Sequence, residues 1–426
     1  MKILNFVTND ILSGAASAAY RLHRNFQTLG HDSTMLVRNK FSEDQTVIQA
    51  EPVGAWESRF QRVRSKIPFF RAPFPHVSDF NFDTVQGIDK SSYFQFGDVD
   101  VICLHWVNGL LTSRDIRSLS DFYRCPVVCT IMDQEPLTGG CHYSHGCEGY
   151  VNRCGQCPQL GSTRDDDLSR KIWNRKFQYL VPMDMQFVAP TSWCRTRLQN
   201  SGLFRASRFS EIPLPINENI FRPFDKIKAR QLLHIPEDRF VIYFGAQYLN
   251  APRKGIRYLI DALRMCKEQL DSVAGNKSAN VHVVYAGKAD SNMEIPFSSQ
   301  YLGHFRDEVT LALSYQAADL FISPSIEDAG PMMVSESMMC GTPVVAFDTG
   351  IAPDLIVTGQ TGYLARFADV KDMATGIVAM LEARNFDTMR CNATQIATER
   401  HSERCVASAH IKLYEQLISE KRGKSE

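Results

Sequence analysis

Ser325-Ile326-Glu327-Asp328-Ala329-Gly330-Pro331-Met332-Met333-Val334-Ser335-Glu336-Ser337-Met338-Met339-Cys340-Gly341-Thr342-Pro343-Val344-Val345 is the stretch whose reading decides the fold. It ends in a short apolar run that reads as a buried β-strand. Ahead of that run, Gly330-Pro331 opens a helical stretch whose first N–H groups are free to meet a phosphate. Asp328 and Glu336 stand eight positions apart, with Glu327 one step further out. The plain alternative is a capped amphipathic helix, with Glu336 solvated and Met332, Met333 and Met339 in the core.

Working outward, short apolar runs alternate with amphipathic stretches, as in parallel sheets covered by helices on both faces. The expected strands of the first half are Lys2–Thr8, Ser33–Arg38, Val99–His105, Pro126–Ile131, Met185–Ala189 and Arg208–Ile212. Those of the second half are Phe240–Phe244, Val281–Ala286, Leu320–Ser323, Pro343–Ala346 and Gly362–Leu364. Helical spacing marks Ile256, Leu259, Ile260, Leu263 and Cys266. At 426 residues the chain exceeds one ordinary core, so two domains are expected. The prolines of Pro213-Leu214-Pro215 end a strand and mark the boundary. The fold class is therefore α/β with two Rossmann-like domains, 1–213 and 214–402, each sheet binding ligands beyond its strand ends and the two facing across a cleft. A closing helix is expected over about 403–419.

The quoted segment resembles the E-x7-E region of retaining family 4 glycosyltransferases, and Cys340-Gly341-Thr342-Pro343-Val344-Val345 fits that pattern closely. The spacing puts Asp328, not a glutamate, at the first acidic position. The resemblance implies the GT-B fold, in which the closing helix 403–419 crosses back to the first domain, and a retaining, metal-independent sugar transfer from a GDP- or UDP-sugar, with no cofactor for catalysis. It gives Glu336 the ribose hydroxyls and the backbone of Gly330, Met332, Met333 and Val334 the sugar and phosphates. Asp328 or Glu327 would face the transferred sugar.

Arg253-Lys254-Gly255 at a helix start supplies two cations, one able to grip a diphosphate bidentately and one a point charge. A solvated Arg-Lys turn is the alternative. In the resemblance this pair neutralises the leaving diphosphate. Gly14 and Ala15 follow the first strand and open a helix, so backbone can approach a phosphate there; tight helix packing would favour the same small residues. His105-Trp106-Val107-Asn108-Gly109 is similar to a strand-end motif of exopolysaccharide enzymes, which makes His105, Asn108 and also Asp133 candidates for sugar or acceptor contacts. Relatives carry histidine where this chain has Met132, so that role is lost or has moved.

Cys141, Cys147, Cys154 and Cys157 gather within seventeen residues of a glycine-rich loop. Such spacing suits a structural zinc, free thiols packing a loop, or two disulfides. The segment also resembles a signature of colanic-acid-type glycosyltransferases. Lysine plus arginine equals aspartate plus glutamate at 47 each, so nothing global asks for nucleic acid. The apolar start breaks at Thr8-Asn9-Asp10, short of a signal peptide, and no run approaches the roughly 18 apolar residues of a spanning helix. A cytoplasmic location is expected, at the inner face of the membrane if the basic and aromatic stretch Trp56–Arg71 meets an anionic surface. The partners implied are a nucleotide sugar and a saccharide or lipid-linked acceptor of exopolysaccharide or O-antigen type. The rival functions are a catalytically silent relative that binds a nucleotide sugar or a partner transferase, and a sugar-nucleotide epimerase.

Overall fold

The structure, a computed structural model, describes residues 1–53, 80–85, 87–272, 277–288, 293–305 and 307–423. The stretch 56–71, expected at a membrane, lies outside the described residues. Among the described residues no helix is long and apolar enough to cross a membrane. The chain divides into two units, Met1–Pro215 with the closing segment from Glu403, and Ile216–Ser402.

The first unit is a parallel sheet of seven strands: β1 (Lys2–Asn9), β2 (Asp32–Asn39), β3 (Val47–Gln49), β4 (Val101–Leu104), β5 (Val127–Thr130), β6 (Met185–Ala189) and β7 (Phe209–Glu211). They lie in the order β3-β2-β1-β4-β5-β6-β7. Strands β4, β5 and β6 are buried throughout, which explains why they read as unbroken apolar runs. Helix α1 (Gly14–Thr28) places Leu22 and Phe26 against Ile3, Val101, Cys103 and Val128. The closing helix Glu403–Gly423 puts Val406, Tyr414 and Leu417 into this same core.

The second unit repeats the design with β8 (Phe240–Tyr248), β9 (Val281–Lys288), β10 (Ser298–Tyr301), β11 (Leu320–Ser323), β12 (Val344–Phe347) and β13 (Gly362–Ala365), ordered β10-β9-β8-β11-β12-β13 and all parallel. Alternate residues serve opposite faces. Tyr243, Phe321 and Val344 pack with Val334, Met338 and Met339 of the helix Met332–Met339. Ile242, Phe244, Ile322 and Val345 pack with Leu259, Leu263 and Cys266 of the helix Ile256–Ser272. Both sheets are thus Rossmann-like.

Some boundaries differ from expectation for identifiable reasons. Strand β8 does not stop at Phe244: it continues to Tyr248 through a register shift between Gly245 and Tyr248. Strands β3 and β10 and the helices Lys226–Leu232 and Phe386–His401 complete elements that the sequence pattern left out.

Candidate functional site

In each sheet the strand order reverses at one point, between β1 and β4 in the first unit and between β8 and β11 in the second. Connections leave such a point in opposite directions and open a crevice beyond the carboxyl ends of the strands. Most of the candidate residues gather at these two places.

In the second unit, Gly245 leaves room beside β9 that a side chain would fill: an added Cβ would sit 3.0 Å from the Ala286 carbonyl and 3.1 Å from the Met333 Cε. Beyond β8, a single 3₁₀ turn over Pro252–Lys254 ends on Gly255 at φ +67. A Cβ there would lie 1.8 Å from the Pro324 carbonyl oxygen, so only glycine lets this turn sit against the end of β11. The Ile326 N–H donates to the Arg253 carbonyl at 2.8 Å and fixes the two loops together.

The charged side chains follow from that backbone. Arg253 Nη1 donates to Asp328 Oδ2 at 3.2 Å, and Lys254 Nζ bonds the same oxygen. Burial opposes ionisation of Asp328, but Lys254 first and then Arg253 outweigh it and hold its carboxyl below the usual range. The expected facing acid is therefore the counter-ion of the basic pair in this structure. Glu327, beside it, is buried.

The helix Met332–Met339 starts at the same end. Pro331 occupies its N-cap and offers no side-chain acceptor. Of the expected backbone donors, Gly330 N–H turns to Asp328 Oδ1 at 3.3 Å and Val334 N–H to the Pro331 carbonyl at 3.0 Å. Met332 and Met333 hold the first two helical positions, where N–H groups have no partner within the helix. Glu336 is buried, not solvated, and its Oε2 accepts from the Tyr315 hydroxyl at 3.0 Å. Burial and the nearby Glu336 carboxylate push the Tyr315 phenol well above its ordinary value, so it remains a donor.

In the first unit, Ser13 caps α1 by accepting from Ala16 N–H at 3.2 Å, with Gly14 exposed and Ala15 half-buried in its first turn. Past β4, His105 and Asn108 line a cavity of about 630 Å³, part of it open to solvent, together with Trp106, Met132, Asp133 and His142. His142 was not among the expected residues. Its Nδ1–H donates to Asp133 Oδ2 at 2.7 Å, and Trp106 Nε1–H donates to the same oxygen at 2.8 Å. Burial works against a charged His142, yet the Asp133 carboxylate outweighs it and raises its pKa. His105 behaves oppositely, since burial pulls it down to about 4 and keeps it neutral.

Cys141, Cys147, Cys154 and Cys157 all line one small cavity of this unit and are free thiols. Gly149 N–H donates to Cys147 Sγ at 3.4 Å and Gly139 N–H to Cys154 Sγ at 3.2 Å. Among the described residues no three histidine, cysteine, aspartate or glutamate side chains are grouped to hold a metal ion. The four thiols thus share one cavity of the first unit without forming a metal-ligand group among the described residues.

With this geometry in view, comparison with known proteins is informative. Residues 239–383 match the family model for glycosyl transferases group 1. The chain is similar to the D-inositol 3-phosphate glycosyltransferase of Stackebrandtia nassauensis, 30% identical over 41% of this chain and 42% of that protein. It is also similar to the phosphatidyl-myo-inositol mannosyltransferase of Mycobacterium leprae, 28% identical over 45% of this chain and 50% of that one. A third relative is the lipopolysaccharide core biosynthesis mannosyltransferase LpsB of Rhizobium meliloti, 25% identical over 38% and 47%. The chain spans about half the length of the curated relatives it matches.

Among solved structures, sucrose-phosphate synthase from Thermosynechococcus elongatus superposes with a TM-score of 0.69 at 16% identity, over 98% of this chain and 100% of that one. Anabaena HepE in complex with UDP and glucose gives 0.63 at 18% identity, over 97% and 99%. These likenesses establish the shared fold. It is with the glycosyl transferases group 1 family that residues 239–383 align, and that stretch holds Arg253, Lys254, Asp328 and Glu336 together.

Proposed function

We propose that the protein is a retaining glycosyltransferase that takes a sugar from a nucleotide-sugar donor and adds it to a saccharide or lipid-linked acceptor. The observation that carries this reading is the closure of Arg253 and Lys254 on Asp328 at the strand-order reversal of the second unit, with Glu336 buried on the helix that follows. A nucleoside diphosphate needs cations at its phosphates and an acceptor for its ribose hydroxyls, and these residues supply both. On arrival, the diphosphate takes the place of Asp328 as partner of the basic pair. Negative charge then grows on the leaving phosphate as the glycosidic bond breaks, and two fixed cations with helix-end N–H groups lower that barrier. The basic pair supplies the countercharge in this metal-independent scheme. The acceptor oxygen bonds to the anomeric carbon on the face that the phosphate leaves, and its proton passes to the departing phosphate oxygen.

A UDP-sugar donor is supported by the UDP and glucose bound in the HepE structure. A membrane-borne acceptor is supported by the relatives named for phosphatidyl-myo-inositol and for lipopolysaccharide core. An exopolysaccharide or O-antigen-type product fits both. Met132, which lines the first-unit cavity in place of a titratable residue, favours the second reading of a silent nucleotide-sugar binder.

Incubation of the pure protein with UDP- and GDP-sugars, followed by assay of free nucleoside diphosphate and of the sugar's anomeric configuration, separates the readings. Release with retained configuration is expected. Tight binding with no release on any donor or acceptor would establish the silent binder, and an altered sugar still attached to its nucleotide would establish an epimerase.

A further inference from the structure

The face of the first sheet that receives α1 and the closing helix carries a row of buried histidines, His23, His105 and His410, which are 0%, 3% and 1% exposed. Side chains alternate along β1 and β4, so Asn5, Cys103 and, just past the strand end, His105 belong to this face, opposite Leu104. Asn5 Nδ2 donates to Ser33 Oγ at 3.0 Å and to the Thr34 carbonyl at 3.2 Å, and its Oδ1 accepts from His105 Nε2–H at 3.3 Å. The other ring nitrogen of His105, Nδ1, is then a lone pair. It is buried and has no hydrogen-bond partner.

From Asn5 the bonding runs on to α1. Thr46 Oγ1 donates to Asp44 Oδ1 at 2.6 Å, so it accepts from His23 Nε2–H at 2.8 Å, and His23 Nδ1 accepts from the Ser33 hydroxyl at 2.9 Å. Both imidazoles are thereby set in their neutral form. On the closing helix, His410 Nδ1 lies 3.1 Å from the Tyr414 hydroxyl, and the Phe26 ring of α1 meets both rings edge to face at 6.2 and 5.7 Å between centroids. His105 is near enough to be acted on by charge at His23, and His410 by charge at His105. The elements around this row bring it little countercharge. β1 offers Asn5, β2 Ser33, β4 the Cys103 thiol and the closing helix Tyr414, with Lys412 and Glu415 turned outward. α1 carries Arg21 and Arg24, of like charge, and the carboxylate that reaches His23, Asp44, is already held by Thr46, Tyr20 and Arg24. A proton on His105 Nδ1 would create a charged donor where no acceptor stands.

We propose that this row is an acid-sensitive latch: a proton taken up at His105 or His410 undocks the closing helix from the first sheet while the sheet itself stays formed. The helix is the element that can leave, because side-chain packing holds it and it pairs with no strand. Burial pulls His23 and His105 down to about 4 and His410 down to about 3, so the docked helix excludes a proton that the undocked one takes up below the ordinary value of about 6.5. Docking is therefore at full strength above that value and weakens about tenfold per pH unit for each histidine the departing helix releases, until the folded values are reached. The latch is independent of the sugar-transfer reading.

Hydrogen exchange of the full chain between pH 7.5 and pH 5, corrected for the intrinsic pH dependence of exchange, tests this. Protection in peptides from 403–423 is expected to fall about tenfold or more per pH unit below about 6.5, with β1 and β4 still protected at pH 5. His410→Phe keeps a ring beside Phe26 and removes one titrating group. His410→Gln keeps a partner for the Tyr414 hydroxyl without titrating. Each should lower the slope by about tenfold per pH unit. Arg208 with Glu420 and Arg422 with Asp100 also tie the helix, at its far end, and both variants leave those pairs intact.

Helix protection that stays constant from pH 7.5 to pH 5 overturns the latch. Loss of protection in β1 and β4 at the same pH as in the helix overturns it too, because the whole unit would then be unfolding. A wild-type slope in both His410 variants has the same force, since the helix would be responding to its carboxylates instead. His410→Gln keeps that comparison decisive if His410→Phe does not fold.

Discussion

The two units share one strand order and one point of reversal, yet the residues placed there have opposite chemistry. In the second unit two cations close on a single buried carboxylate, Asp328, and a helix start without a side-chain cap stands beside them. In the first unit His105, Trp106 and Asn108 line a cavity whose charged residues are matched with one another, Asp133 with His142 and Glu135 with Lys176. Topology therefore determines where a ligand meets each sheet, and the side chains at the strand ends determine its charge. One place gathers two cations around a single acid, and the other holds charges already paired with one another.

The largest test of this contrast is acid. Burial pulls His23 and His105 down to about 4 and His410 down to about 3, all in the first unit. Each is neutral when folded and takes up a proton on unfolding below its ordinary value of about 6.5, so stability falls as pH drops toward the folded values, by about 1.4 kcal/mol per pH unit for each histidine. His142, whose pKa is raised, works the other way: it favours the folded state at low pH, and its contribution fades as pH rises through the folded value. In the second unit burial also pulls His282 down. Hydrogen exchange between pH 7 and pH 4 should show the first unit opening before the second. Simultaneous opening would break the comparison.

Next in size is turnover. Arg253→Ala or Lys254→Ala should each reduce donor turnover roughly 10²–10³-fold, the equivalent of about 2–4 kcal/mol for a preorganised charge donor. Steady-state kinetics checks this. Asp328→Ala leaves both cations without their buried partner and should lower the second unit's stability by about 2–3 kcal/mol, near the low end for such pairs because Arg253 and Lys254 side chains are 23% and 20% exposed. A urea titration read on the second unit alone measures it. Tyr315→Phe removes one donor from Glu336 and should cost about 1–2 kcal/mol, read by urea titration, with a fall in UDP affinity measured by calorimetry.

Much of this was legible in the sequence, for a clear physical reason. Val344-Val345 and Leu320–Ser323 are buried on both faces, so their apolar runs announce strands. Gly255 and the adjacent cations stand together in the chain, and the structure leaves them adjacent. Strand β10, Ser298–Tyr301, is a polar edge strand with three of its four residues exposed, and it carries no apolar pattern. The helix Phe386–His401 buries Met389, Ala393 and Ala397 every fourth residue, but alanines give too little hydrophobic contrast to show it. His142 was hidden because its meaning depends on a loop that folds back, with Gln134 N–H donating to the His142 carbonyl at 2.9 Å. That return brings the ring onto Asp133 and Trp106. Glu336 is singled out by the resemblance alone, because its bond to Tyr315 spans 21 positions and leaves no local trace.

The closing helix has a consequence for how the protein is made. Tyr414 and Leu417 belong to the first unit's core, whereas the second unit is continuous from Ile216 to Ser402. During synthesis the later-starting unit can therefore finish folding while the earlier one still lacks part of its interior. The amino-terminal sheet must wait on the ribosome with the surface that receives this helix uncovered, a window in which a chaperone has something to hold.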